Sequence, residues 1–185
     1  MSHNLILRTF SAVALAALGT SLAADRCSAQ ESPPLVTRDH VKLTLGGAEA
    51  ILRAARKQAE SMNLQVNIAV VDDGGHLLAF ARMDGARPAS GYTAMTKAVT
   101  AATFRAPTGP VPPGTTAPDP LLNLSLQNAA AASGGKVTTL FGGVPVVVED
   151  QIIGAVGVGG ATGEQDAQIA RAGIEALVKA IASDK

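Results

Sequence analysis

Apolar positions along the chain follow two rhythms. Val66, Ile68 and Val70 alternate with Asn67, Ala69 and Val71, and after Asp72-Asp73-Gly74-Gly75 the stretch from His76 to Met83 sets Leu77 and Ala79 against Leu78 and Phe80. A period of two predicts strands, and glycine supplies the positive φ of the turn, so a first hairpin is expected. Val144 to Val148, β-branched apart from Pro145, and Ile152 to Val158 are separated only by Glu149-Asp150-Gln151. They predict a second antiparallel hairpin. Neither of its strands alternates with polar residues, so both faces are expected to be covered and the hairpin to lie at the centre of the core. Glycines at 154, 157, 159 and 160 mark places where another backbone or a flat ligand comes close.

The second rhythm is helical. Thr44 is expected to cap a helix that buries Ile51, Leu52, Ala55, Ala59 and Met62 and ends at Asn63. Tyr92, Met95, Val99 and Ala102 space a second helix over Ser90–Arg105, with Ser90 as its cap. Leu121 to Ala132 predicts a short third helix, broken by Ser133-Gly134-Gly135. Thr162 and Gln165 have capping-box spacing for a last helix with a stripe of Ala170, Ile174, Leu177 and Ile181. Lys136 to Leu140 is expected as a further strand. Residues 106–120 hold six prolines, which excludes regular structure and predicts a lid, an arm or an interface element. Hairpins kept apart from helices, rather than alternating strand and helix, predict an α+β sandwich with an antiparallel sheet.

Composition changes this picture mainly at the start. Arg8, the alanine-rich run Ser11–Ala24 and Cys27-Ser28-Ala29 have the form of a secretory signal over residues 1–29, followed by a polar tether over 30–43. The domain proper is then 44–185, and the expected location is periplasmic or extracellular, with no membrane span after cleavage. Cleavage at Ala29 removes 29 of 185 residues and leaves 156, enough for one core. It also removes the single cysteine, and with it thiolate ligation, disulfides and cysteine nucleophiles. Of 15 basic and 15 acidic residues, Arg8, Arg26 and Asp25 fall in the signal, leaving 13 against 14. With no basic excess, no Trp and one Tyr, nucleic acid is not an expected partner.

Gly157-Val158-Gly159-Gly160-Ala161-Thr162-Gly163 sits between a strand and a helix, but its spacing is G-x-G-x-x-x-G. The 22 residues after Gly163 suffice for a helix but not for a returning parallel strand with its ribose-binding acid, so a dinucleotide fold is not expected. The glycines then serve close packing, or an anion at a helix N-terminus. His76 is a turn-end imidazole bonded to backbone or, alternatively, a metal ligand or general base. His40 falls in the tether. Asp72 and Asp73 form a solvated turn or hold a hard cation, and no zinc spacing or nucleophile elbow occurs.

Taken in order, Asn67-Ile-Ala-Val-Val-Asp-Asp-Gly-Gly-His-Leu, Arg82-Met-Asp-Gly-Ala, Lys97-Ala-Val-Thr-Ala-Ala-Thr-Phe, Gly142-Gly-Val-Pro-Val, Ile153-Gly-Ala-Val-Gly-Val-Gly-Gly and Asp166 resemble the GlcG/HbpS-like family of haem-binding proteins. The resemblance spans about residues 43–182. It implies a profilin-like sheet flanked by helices and large homo-oligomers. In some exported members it also implies haem binding, with slow haem degradation and iron capture. The chain departs from the family in the proline-rich stretch 107–120 and in Phe141, where a proline often stands.

A haem needs an apolar slot, cations or backbone donors for two propionates, and an axial ligand. Arg82, Arg87 and Lys97 are the candidate cations. His76, His40, Tyr92, a methionine or the Thr103 hydroxyl are the candidate ligands to iron. Arg82 ends a strand and Lys97 lies on the helix that follows, so the site is expected where these meet. Thr96, Thr100 and Thr103 share one helical face, which leaves room for a flat ligand or packs against a neighbouring subunit. Two other functions compete: an accessory or sensory module that binds a small organic acid or a partner protein, and a purely structural oligomer.

Overall fold

A computed structural model describes residues 39–112 and 114–183 of the chain. The expected signal and most of the tether lie outside them. The tether's last residues are docked rather than loose. Val41 N–H donates to Gln151 Oε1 at 3.1 Å, His40 Nε2 lies 3.3 Å from Asp73 Oδ2, and Leu43 is buried.

Eight elements follow: α1 (Leu45–Ser61), β1 (Asn67–Asp72), β2 (Leu77–Arg82), α2 (Ser90–Thr103), α3 (Pro120–Ala132), β3 (Gly143–Val148), β4 (Gln151–Gly159) and α4 (Gly163–Ser183). The four strands form one antiparallel sheet in the order β2-β1-β4-β3. Helices α1 and α4 cover one face. There Ile51, Ile68, Val156, Val158 and Ile169 are fully buried, each worth about 1.5–3 kcal/mol relative to exposure. On the other face α2 presses Ala94, Ala98, Ala101 and Ala102 onto Ala69, Val71 and Ala155. This is the expected α+β sandwich.

The ends of the helices follow local chemistry. Thr44 Oγ1 accepts from Gly47 N–H at 3.1 Å, and Asn63 closes α1 at φ 54°. Thr162 and Gln165 exchange backbone and side-chain bonds at 3.1 and 3.3 Å, a complete capping box for α4. The β3–β4 turn is made by Glu149 and Asp150, both at positive φ, the twist that suits a two-residue hairpin loop.

Three expectations are corrected. Lys136–Leu140 is not a strand: Thr138 N–H donates to Thr100 Oγ1, and the Leu140 carbonyl accepts from Thr108 Oγ1. Side chains there take the backbone groups that a ladder would use. Ser90 does not cap α2, because its hydroxyl accepts from Arg87 Nε at 2.8 Å and Ala89 holds the cap position. The second hairpin is only half central, with β4 inside the sheet and β3 its edge, where Pro145 is tolerated. The proline-rich stretch is pinned at Thr108, which is buried and trades bonds with Gly143 at 2.8 and 2.9 Å.

Candidate functional site

The position of α2 decides where the molecule is open. The helix lies against β4 and β1 because β4 carries glycine at 157 and 159 on that face. A Cβ on Gly157 would enter the Ala94 carbonyl, and one on Gly159 would stand 2.6 Å from the Ser90 carbonyl. These glycines therefore serve close packing of a helix. With α2 seated there, outer strand β2 is left bare on the same face.

Register sets which side chains line that gap. Asn67 pairs with Arg82, Ala69 with Phe80, Val70 with Ala79, and Val71 with Leu77, with a bulge that leaves Leu78 unpaired. The extra residue breaks the expected alternation. Leu77, Phe80 and Arg82 consequently share the α2 face, while Leu78 and Ala79 pack toward α1 and α4. Opposite them stand Tyr92 and Met95 of α2, with Pro88 and Ala89 at the entrance and Asn67 at the base. The result is an open, mostly apolar cleft of about 600 Å³. A concavity of about 700 Å³ beyond β2 is lined by Arg56, Glu60, Asp84 and the other side of Arg82. Its charged lining suits solvent better than an apolar ligand.

Arg82 is exposed at the rim of the cleft. Lys97 points elsewhere. Its ammonium is buried, donating to Asp166 Oδ2 at 2.7 Å and to the Val158 carbonyl at 2.8 Å. Asp166 Oδ1 also accepts from Ala161 N–H at 3.2 Å. Burial raises the Asp166 carboxyl above its ordinary value, against the lowering pull of Lys97. This pair ties α2 to the start of α4.

On the threonine face Thr100 is buried, Thr96 is half-buried and Thr103 is exposed, and all three hydroxyls are bonded within the helix. Thr96, Thr100 and Thr103 donate back to the carbonyls of Thr93, Thr96 and Val99. Thr100 is buried under the 136–140 segment, and Thr103 faces the hairpin turn at Gly75. His76 is 83% exposed, its Nδ1 3.2 Å from Asp72 Oδ1, and that same oxygen accepts from His76 N–H at 2.8 Å. Among the described residues no three His, Cys, Asp or Glu side chains group as a metal site. No described helix is long and apolar enough to cross a membrane. The structure thus brings Arg82 to the cleft and leaves Lys97, Thr100, Thr103 and His76 outside its lining. Sequence reasoning missed Asn67 as part of it, although a polar residue at an inward position of an apolar strand was the available signal.

One antiparallel sheet between helices makes this an α+β sandwich of the profilin-like kind. The chain belongs to the HbpS-like family, since the family described as "Haem degrading protein HbpS-like" matches residues 43–175. Protein GlcG of Escherichia coli (strain K12) is 46% identical over 111 residues, 60% of this chain and 76% of that one. A double mutant of HbpS from Streptomyces reticuli is 34% identical with a TM-score of 0.61, over 78% of this chain and 96% of its own. The PduOC:Heme complex is 29% identical with a TM-score of 0.60, over 74% and 95%.

Proposed function

We propose that this protein binds haem in the cleft between β2 and α2. The observation that carries the reading is the cleft's composition. Leu77, Phe80, Tyr92 and Met95 supply apolar walls for a flat macrocycle, and Arg82 at the rim is placed to pair a propionate. Membership of the HbpS-like family and the likeness to a haem complex support the choice of ligand. With the Lys97 ammonium committed to Asp166 and Val158, Arg82 is the cation for this role. Met95 and Tyr92 are the cleft side chains able to ligate iron, in place of Thr103 or His76. Bound haem would supply redox and oxygen chemistry. The chain's own part is to hold it loosely in an open slot, which suits slow degradation or iron scavenging better than electron transfer.

The same proposal includes export to the periplasm or exterior, with cleavage near Ala29, and assembly into a homo-oligomer larger than a dimer. Haemin titration followed in the Soret region tests the binding. A saturable shift is expected, weakened in Arg82→Ala and moved in wavelength in Met95→Leu or Tyr92→Phe. Absence of a saturable shift in the wild-type protein would refute haem binding.

A further inference from the structure

The cleft contains an acceptor that the fold leaves unanswered. Asn67 is fully buried, and its Nδ2 donates to the carbonyls of Arg87 at 3.1 Å and Gly159 at 3.3 Å. Both partners are acceptors, so the amide cannot be turned over without setting oxygen against oxygen. Oδ1 is therefore fixed in direction, and it is buried without a partner. A buried acceptor in that condition costs free energy that a suitable donor would recover.

Oδ1 lies behind the cleft wall formed by Gly91 and Phe80. A Cβ built there would stand 3.5 Å from Asn67 Oδ1 and 3.4 Å from Phe80 Cζ. Beside it on the same face is Arg82, the cross-strand partner of Asn67, whose Cβ lies about 5 Å away in such a pair. Among the described residues Arg82 makes no ion pair. One edge of the apolar cleft thus has an exposed cation without an ion pair next to a buried acceptor without a partner.

We propose that the cleft takes a small carboxylic acid with an apolar body and a hydroxyl on the carbon next to the carboxylate. Arg82 pairs the carboxylate, the hydroxyl donates to Asn67 Oδ1, and the body lies between Phe80, Leu77 and Met95. An amino group in place of the hydroxyl is disfavoured, because an ammonium at this buried point finds one acceptor for three donors and sits beside a guanidinium. The inference does not rest on haem binding. Haem has carboxylates but no hydroxyl, so it leaves Oδ1 unanswered, and the two ligands would exclude each other at Arg82.

Mandelate and phenylacetate, which differ by that hydroxyl, test the assignment by calorimetric titration. The wild-type protein is expected to bind one mandelate enantiomer about tenfold or more tighter than phenylacetate, as a site built for a hydroxyl should. Gly91→Ala sets a methyl over Oδ1 at ordinary contact distance, so the fold is retained and the ratio should fall toward one. Arg82→Gln should weaken both acids and leave the ratio. Equal binding of the two acids to the wild-type protein, binding of neither, or an unchanged ratio in Gly91→Ala would each overturn the proposal. Haemin titration of the same proteins is scored separately, so either ligand can fail without the other.

Discussion

At the scale of single residues, the most constrained contact is Lys97 with Asp166. Both are buried, 2.7 Å apart, with the remaining bonds drawn from Val158 and Ala161. A buried pair of this kind roughly offsets its own desolvation, whereas removing one partner strands a charge and costs about 3–5 kcal/mol. Asp166→Asn should therefore lower the unfolding free energy by that order in denaturant titration. The double change Lys97→Met with Asp166→Leu should recover most of the loss; equal losses in both would contradict this account. The pH dependence has a definite sign. Burial raises the Asp166 carboxyl above its ordinary 3.8, so between those two values the folded protein holds a proton that the unfolded chain has released. The residue's contribution to stability then falls as pH rises through that window. An NMR titration of the Asp166 carboxyl should find its midpoint above 3.8, and a midpoint below it would be inconsistent with burial as the dominant effect.

At the scale of elements, α2 and β4 meet through backbone. Gly157→Ala would push a methyl into the Ala94 carbonyl and the Ala98 amide, neither of which can move without shifting the helix. Overpacking of this kind costs about 1–3 kcal/mol. A loss of that size in thermal unfolding, with the cleft widened as α2 lifts, is expected, and an unchanged melting temperature would count against the packing described. Much of this layer was legible in the sequence. Period-two alternation located β1, the capping spacing of Thr162 and Gln165 located α4, and the glycines of β4 announced a close approach. What was hidden depended on partners distant in the chain. The bulge at Leu78, which turns Leu77 and Phe80 onto one face, appears only when β2 is laid against β1. Lys136–Leu140 has strand-like composition, but Thr100 and Thr108 claim its backbone. Lys97 looked like a free cation until Asp166, 69 positions away, was folded against it.

At the scale of the whole molecule, apolar surface remains uncovered. Tyr92 is 79% exposed, Leu121 78% and Leu124 55%, and α3 buries only Leu126. Contacts between subunits of the proposed homo-oligomer would cover such side chains. Native mass spectrometry of protein made from the full-length chain in an exporting host tests both whole-molecule proposals at once. An assembly larger than a dimer, built of subunits that begin after Ala29, is expected. A monomer would contradict the first, and subunits that begin at Met1 the second.

The proposed haem site is the cleft between β2 and α2. The methionines offer a direct test, because Met95 lines that cleft whereas Met62 and Met83 pack on the α1–α4 side of the sheet, Met83 also bordering the charged concavity. With 13C-methyl methionine, titration of the diamagnetic analogue gallium protoporphyrin should shift the Met95 methyl by ring current and leave Met62 and Met83 in place. Movement of Met83 or Met62 with Met95 unchanged, or no movement of any of the three, would contradict the assignment.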